Sequence, residues 1–222
     1  MRKYLKLAAL AAAALMLLPL CGCKRDIPAS PEELYSRTSG PTAEPHVMFT
    51  PDPNVTPDPV KGSNTMVVFF SASGNTRLVA QKIAQITGAD VYEIVPVVPY
   101  SEGDLDYSNP ETRATIEQRD PNFRPEIAGS LPDLAAYERV FLGYPIWWSE
   151  APRILNTFVE NVDFGSAAVI PFCTSGMSDI GTSADRLEEL AGSGVWYEGK
   201  RFTSGVSRDE LRAWITSVCE NK

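Results

Sequence analysis

The sequence predicts an α/β fold in which a doubly wound, five-stranded parallel sheet carries helices on both faces. Strand-like and helix-like patterns alternate from Thr65 to the end of the chain, as expected of successive βαβ units. The strand candidates are short apolar runs that end in turn residues, which is typical of strands buried on both faces. Residues 65–222 suffice for one domain that buries roughly two-thirds of its unfolded surface.

The predicted strands are all short. The first is the apolar run from Met66 to Phe70, and the others are placed at 90–94, 139–143, 167–172 and within 194–202. In a sheet of order 2-1-3-4-5 the first, third and fourth strands are neighbours, and ligands bind at the switch point between the first and third.

The helices are predicted from periodicity and from their start signals. After the first strand, one face carries Leu78, Val79, Ile83 and Ile86. Asn109-Pro110 resembles a helix cap and first position, and Pro152 resembles another helix start. A helix is also predicted over 183–191, and Ser207 to Glu210 form a capping box for the last one.

Residues 1–22 have the layout of a bacterial signal peptide rather than of a folded element. Arg2, Lys3 and Lys6 precede a short apolar segment that ends in Leu20-Cys21-Gly22-Cys23. This ending resembles a lipobox, which implies cleavage before Cys23 and attachment of lipid to its sulfur. Cys21 as the modified residue, an ordinary signal peptide and an uncleaved anchor remain alternatives.

Residues 23–64 are predicted to be an extended tether between the lipid and the domain. Eight of the 18 prolines lie here, and they include Thr-Pro-Asp-Pro at 50–53 and again at 56–59. Proline fixes φ and removes a hydrogen-bond donor, so polyproline-II conformation is favoured. We therefore expect a protein outside the cytoplasmic membrane that is bound to it through a lipid.

The charge of the chain restricts its partners. Removing residues 1–22 takes three basic residues from 20 and none of the 28 acidic ones, so the net charge changes from −8 to −11. An acidic chain without a basic patch argues against a nucleic-acid partner and against electrostatic adhesion to anionic membranes.

Three loops follow the first, third and fourth strands and are the candidate binding site. The first, Ser71-Ala72-Ser73-Gly74-Asn75-Thr76, joins a buried strand to a helix start, where free backbone N–H groups favour an anion such as phosphate. The bland alternative is a turn in which Ser73 caps the helix. The second, Pro145-Ile146-Trp147-Trp148, offers two indoles on an extended loop, so that one ring faces a groove or solvent. The third, Thr174-Ser175-Gly176, suits contact with a polar ring edge.

These loops resemble those of the flavodoxin family in order and spacing. The S-x-S-G-N-T loop, the Tyr-Pro-Ile-Trp-Trp segment and the following Thr-Ser-Gly carry the resemblance, which covers about 65–222. It implies non-covalently bound FMN, with Ser71 to Thr76 at the phosphate, Pro145 to Trp148 beside the isoalloxazine and Thr174 to Gly176 at its polar edge. Tyr100 and Tyr107 are interpreted as loop packing.

The expected activity is electron relay or reduction of a small acceptor such as a quinone. Many electron-carrying flavodoxins have a flexible glycine beside the flavin, but the segment from Tyr144 to Pro152 has none. This difference favours two-electron reduction with little of the one-electron-reduced form, as in quinone and flavin reductases. The donor is undetermined, with NAD(P)H or a redox protein as candidates, and a flavin-binding or scaffolding module without turnover is the alternative.

The remaining cysteines and the one histidine limit the chemistry further. His46 lies in the tether, which excludes catalytic arrangements of serine or cysteine with histidine in the domain, and no Cys/His spacing predicts a metal site. Cys173 ends the fourth strand, whereas Cys219 lies near the end of the last helix, at the opposite edge of such a sheet. We therefore expect two reduced thiols rather than a disulfide.

Overall fold

The computed structural model of the chain describes residues 64–220. The predicted signal peptide (1–22), the lipidation site Cys23 and the tether up to residue 63 lie outside the described residues, so they remain predictions. In the part that is described, no helix is both long enough and apolar enough to cross a membrane.

A parallel sheet in the order β2-β1-β3-β4-β5 forms the centre of the molecule and confirms the predicted fold class. Val67 in β1 lies opposite Val91 in β2 and Phe141 in β3, which fixes the register of the three strands. The strands are β1 (Thr65–Phe70), β2 (Asp90–Ile94), β3 (Arg139–Pro145), β4 (Ala168–Thr174), β5 (Val195–Trp196) and β6 (Lys200–Phe202).

Helices cover both faces of this sheet because successive strand residues point to opposite sides. Val67, Phe69 and Phe141 pack beneath α1 and α5, whereas Val68, Phe70 and Leu142 belong to a second core that includes residues of the other three helices. The helices are α1 (Asn75–Thr87), α2 (Arg113–Arg119), α3 (Arg153–Glu160), α4 (Ser183–Ala191) and α5 (Arg208–Glu220), with a short 3₁₀ turn at Gly103–Leu105.

The fifth strand position is divided between two short pieces, β5 and β6, which both pair with β4. The carbonyls of Ala167 and Val169 accept hydrogen bonds from Val195 and Tyr197, so alternate residues of β4 face this edge. Pro171 is the next residue in that series and has no N–H to donate. The interruption between Trp196 and Lys200 therefore lies where the ladder lacks a donor.

The predicted start of the second helix is wrong. Helix α2 begins at Arg113 after Thr112, and Asn109 instead closes a turn through its side chain, which accepts the Glu111 N–H at 3.0 Å. Asparagine favours such local turns as readily as helix caps, so the Asn-Pro pair is ambiguous. At the last helix the capping signal is correct, since the Ser207 hydroxyl accepts the Glu210 N–H at 3.1 Å.

The two cysteines of the domain are not joined by a disulfide, as predicted. Cys173 is fully buried in the core on one face of the sheet, whereas Cys219 packs against the core on the other face. The sheet itself therefore separates the two sulfur atoms.

Candidate functional site

A cavity of about 680 Å³ opens at the carboxyl edge of the sheet, next to the ends of β1, β3 and β4. The three loops predicted from the sequence meet here. Ala72, Ser73 and Asn75 come from the first, residues 145–149 from the second and residues 174–178 from the third. A doubly wound sheet places ligands at this edge because the connections from neighbouring strands leave to opposite faces at the switch point, where the strand order reverses.

One end of the cavity is the start of α1, where backbone donors are open. Gly74 precedes the helix with φ +86°, and no side chain caps it. The Arg77 N–H donates to the Ser71 hydroxyl at 3.2 Å. Among the described residues, the N–H groups of Gly74, Asn75 and Thr76 have no hydrogen-bond partner. These groups and the helix dipole together suit an oxyanion.

The alternative in which Ser73 caps the helix is wrong. The Ser73 hydroxyl accepts a hydrogen bond from the Asn75 side-chain amide at 3.2 Å, and Ser73 lines the cavity instead. Its exposed position leaves the hydroxyl accessible to a ligand.

Three of the predicted site residues, Ser71, Gly74 and Thr76, do not line the cavity. Ser71 and Thr76 are buried, and the hydroxyl of Thr76 lies 2.7 Å from that of Thr174 at the end of β4. This hydrogen bond joins the first loop to the third, so Thr76 fixes the distance between them. The side chains of Ser71 and Thr76 thus support the loop from behind, whereas its candidate donors to a ligand are backbone N–H groups and the Ser73 hydroxyl.

The two tryptophans of the second loop have different environments, as the sequence predicted. Trp147 is buried and packs edge-on against Phe70 and Tyr100, with ring centroids 5.6 and 5.2 Å apart. Trp148 is 40% exposed, and its ring centroid lies 4.7 Å from that of Tyr107. Trp148 and Tyr107 both line the cavity and form an aromatic wall at its mouth.

The conformation of this loop differs from the extended one that was expected. Trp148 and Ser149 both have positive φ, 46° and 64°, between the paired residues Trp147 and Glu150. The Trp147 and Glu150 backbones exchange hydrogen bonds of 2.9 and 3.0 Å, which closes a two-residue turn of type I′. Glycine and asparagine usually occupy such positions, so a bulky tryptophan here stores strain beside the cavity.

Ion pairs of Glu150 stabilise the Trp148–Ser149 turn on the side away from the cavity. The Glu150 carboxylate forms an ion pair with Arg153 at 2.9 Å and a second with Arg186. Because Glu150 also closes the turn through its backbone, these pairs support the position of Trp148.

Tyr107 was interpreted as loop packing, but it lines the cavity, so the sequence interpretation missed it. The preceding segment is anchored by Tyr100, whose hydroxyl donates to Glu117 and whose ring lies 4.0 Å from the Arg113 guanidinium carbon. Arg113 and Glu117 form a buried ion pair at 2.6 Å. Burial raises the pKa of Glu117 despite this pairing with Arg113 and the Tyr100 hydrogen bond. The sequence around Tyr107 does not show this position, because its ring contact is with Trp148, far away in the chain.

The cavity is electrically neutral in its lining. None of the described residues that line it carries a charge at neutral pH, and Leu105, Thr203 and Ser204 complete the wall. Arg201 lies nearby, but its guanidinium donates to the Ser175 carbonyl at 3.0 Å. Burial raises the pKa of the Cys173 thiol behind this wall to about 12. The cavity therefore suits a largely uncharged aromatic molecule whose anionic end reaches the start of α1.

Comparison with known families agrees with this geometry. Residues 64–218 match the sequence profile of the family described as Flavodoxin. The chain belongs to the flavodoxin family. Its cavity thus lies at the switch point of a flavodoxin fold.

Solved structures show the same architecture over nearly their whole length. A protein of Bacteroides eggerthii DSM 20697, assigned as a flavoprotein, is 39% identical with a TM-score of 0.66 over 71% of this flavodoxin and 99% of that chain. A similarly assigned protein of Bacteroides uniformis ATCC 8492 is 38% identical, with a TM-score of 0.66 over 70% and 99%. A flavoprotein of Lactobacillus acidophilus NCFM, crystallised with FMN, shares the fold at 22% identity, a TM-score of 0.51 and coverage of 69% and 99%.

One curated protein also matches part of the chain. Ribosomal protein uS12 methylthiotransferase RimO of Roseiflexus sp. strain RS-1 is 23% identical over 124 residues. The match covers 54% of this flavodoxin but only 26% of that protein, so the chain spans about a quarter of the relative's length.

Proposed function

We propose that this flavodoxin binds FMN and uses it outside the cytoplasmic membrane to relay electrons or to reduce a small acceptor such as a quinone. The observation that carries the proposal is the neutral cavity, with open backbone N–H groups at one end and the Trp148–Tyr107 wall at the other. A flavin mononucleotide has the matching shape, since it joins a flat aromatic ring to a terminal phosphate. The FMN complex of the Lactobacillus acidophilus flavoprotein supports the choice of cofactor.

The residues of the cavity and of the first loop fit FMN. Backbone N–H groups of Gly74 to Thr76 and the Ser73 hydroxyl would hold the phosphate. Residues 145–148 and Tyr107 would border the ring, and residues 174–176 would approach its polar edge. FMN supplies the electron-transfer chemistry when bound, and the chain binds, orients and partly shields it.

An uncharged planar acceptor is the substrate class that this cavity favours. The mouth is formed by half-exposed Trp148 and Tyr107 and by Met177, which is 93% exposed. Flat apolar rings stack on such aromatic surfaces. A strongly anionic acceptor would form no ion pair with this lining, because it contains no cation. Quinones meet this description, and the electron donor would be NAD(P)H or a redox protein.

The location of the protein completes the proposal. The Leu20-Cys21-Gly22-Cys23 segment supports a lipid on Cys23, and the proline-rich segment after it supports a spacer. The acceptor would then be reached from the membrane surface.

A visible spectrum of the purified protein and an NAD(P)H oxidation assay with and without a quinone test the proposal. We expect flavin absorbance, FMN released on denaturation, and oxidation that depends on the quinone. Protein that holds no FMN after saturation would refute the cofactor. Bound FMN with no turnover of any donor would instead favour the alternative, a flavin-binding or scaffolding module.

A further inference from the structure

A second, smaller pocket lies on the other side of the Trp148–Ser149 turn. Its volume is about 150 Å³, several times the roughly 30 Å³ of one water molecule in the liquid. The pocket lies between the first turns of α3 and α4, with Arg153 and Asn156 from α3 and Ser183, Arg186 and Leu187 from α4. Pro121, Glu150 and Ala151 complete its lining.

Two helix N-termini converge on this pocket, and neither is capped by a side chain. Among the described residues, the backbone N–H groups of Arg153 and Ile154 in α3 and of Ala184 and Asp185 in α4 have no hydrogen-bond partner. Both helices follow strands that run in the same direction, so the positive ends of their dipoles lie at the same edge of the sheet.

The charged side chains of the pocket leave a positive excess. Among the described residues that line it, Glu150 is the only anion, and it is shared between Arg153 and Arg186. Within the lining, one carboxylate therefore faces two guanidinium groups and two helix ends, while Asp120 near Arg153 and Asp185 in the first turn of α4 lie outside it. Burial, and to a lesser degree the neighbouring Arg124, lowers the pKa of Arg153, whereas Asp120 acts in the opposite direction.

Polar groups with unused hydrogen-bonding capacity face this region. Asn156 is 93% buried and lines the pocket, yet its side-chain amide makes no hydrogen bond within the described residues. The Arg153 Nε atom is buried without a hydrogen-bond partner as well. The Asn156 amide keeps access to solvent within the pocket, so a ligand there can take its hydrogen bonds.

We infer that this pocket binds a small oxyanion of the phosphate class, held by Arg153, Arg186, the Asn156 amide and the starts of α3 and α4. The site is separate from the FMN cavity and independent of the proposed function. Glu150 connects the two, because its carboxylate lies in the pocket while its backbone closes the Trp148–Ser149 turn. The bound anion competes with Glu150 for the guanidinium groups.

Titration of the full mature chain with inorganic phosphate, at constant ionic strength and with saturating FMN, tests the site. The FMN proposed for the first loop would compete with phosphate there, and phosphate binding that Arg186→Ala weakens reports on the second pocket whether or not FMN binds. We expect saturable binding that Arg186→Ala weakens by about tenfold or more and Asn156→Ala by a smaller factor. Arg186 is on the surface, and circular dichroism would verify that both variants fold.

Arg212→Ala is the matched control, because Arg212 is likewise a partly exposed helix arginine paired with a carboxylate, that of Asp209, but it does not line the pocket. It should bind phosphate like the wild type. Absence of saturable binding, unchanged binding in either pocket variant, or an equal response to chloride would overturn the inference. Because binding is measured apart from turnover, failure of the electron-transfer proposal would leave this result unaffected.

Discussion

At the start of α1, one residue determines both the backbone path and the access of a ligand. Gly74 has φ +86°, and the space where a side chain would begin is open. Gly74→Val should therefore place a β-branched residue in a strained conformation and cover the free N–H groups. We expect FMN affinity, measured by flavin titration, to fall at least about a hundredfold, the equivalent of about 3 kcal/mol.

Gly129→Val is the control for this substitution. Gly129 has φ +81° and equally open surroundings, but it lies outside the three loops that form the site. Both variants should lose similar stability, and only Gly74→Val should lose FMN binding. Equal FMN affinity in the two variants would contradict the role given to the first loop.

The two cysteines should differ in reactivity. Burial raises the pKa of Cys173 to about 12, so its thiol stays protonated at pH 8, whereas Cys219 is partly exposed. Since the thiolate is the nucleophile, an alkylating reagent at pH 8 should modify Cys219 much faster than Cys173. Mass spectrometry of the native and the denatured, unreduced protein measures this. Two unreactive cysteines after denaturation would indicate a disulfide and a misplaced helix.

How far the sequence predicted individual site residues depended on whether their signal was local. The residues at 71–76 follow from a strand, a glycine and a helix pattern that adjoin each other. Tyr107 and Thr203 reach the cavity only through distant packing, and nothing next to them in the chain indicates it. Thr76 was identified correctly as part of the loop, but its contact with Thr174 depends on the sheet register.

At the level of the elements, the turn after β3 is the feature with the clearest functional consequence. Rotating the Trp148–Ser149 peptide would convert the type I′ turn into type II′, whose first central position requires glycine. Trp148 occupies that position. Rotation of this peptide is the change that would stabilise the one-electron-reduced form of a flavin beside it. Because Trp148 disfavours the rotation, we expect bound FMN to show little of that form during slow dithionite titration monitored by visible absorbance.

Two variants at the same position separate the backbone effect from loss of the ring. Trp148→Ala and Trp148→Gly both remove the indole, but only glycine permits the rotated peptide. The one-electron-reduced form should increase in Trp148→Gly and not in Trp148→Ala. A stoichiometric blue form in the wild type would contradict the explanation.

The Phe172 ring in β4 fills the space beside Gly143 in β3, so that no methyl group fits there. A Cβ atom on Gly143 would lie 2.1 Å from the ring of Phe172 on the neighbouring strand. Gly143→Ala should therefore lower the free energy of unfolding by about 1–3 kcal/mol through overpacking. Urea denaturation measures the loss, and Gly205→Ala, where the surroundings are open, should change it by no more than about 0.5 kcal/mol.

The elements that the sequence predicted least well are those controlled by neighbouring strands. A fifth strand was predicted within 194–202, but its division depends on Pro171 in the adjacent strand. The start of α2 was misplaced because Asn109 signals a turn and a cap equally. Apolar runs such as 66–70 were placed correctly since strand length and burial are both visible in the sequence.

For the whole molecule, the polar groups that can bind ligands lie at one edge of the sheet. Strands β1, β3 and β4 end there, and helices α1, α3 and α4 begin there, so the helix dipoles add to the loops. In a parallel sheet all strands end at the same edge, so the helices that follow β1, β3 and β4 all begin there. The strand order itself was assumed from the common arrangement of doubly wound sheets, because alternating strand and helix patterns do not determine which strands pair.

The predicted signal peptide and lipid also bear on where this edge would operate. With residues 1–22 removed the net charge is −11, so an anionic membrane surface would repel the domain. The proposed attachment to the membrane would then depend on the lipid predicted at Cys23. Cys23→Ser should move the protein from the membrane fraction to the soluble fraction, and mass spectrometry should show that the lipid is absent.

Cys21→Ser serves as the control, because it changes the neighbouring cysteine of the same segment and should leave both lipid and membrane attachment in place. The flavin spectrum should be the same in both variants, since the folded domain begins about forty residues later. If Cys23→Ser still sedimented with membranes at the mass of the wild type while Cys21→Ser did not, the modified residue would be Cys21. If neither change released the protein, residues 1–22 would anchor it as an uncleaved segment and the tether would begin at an apolar helix instead of a lipid.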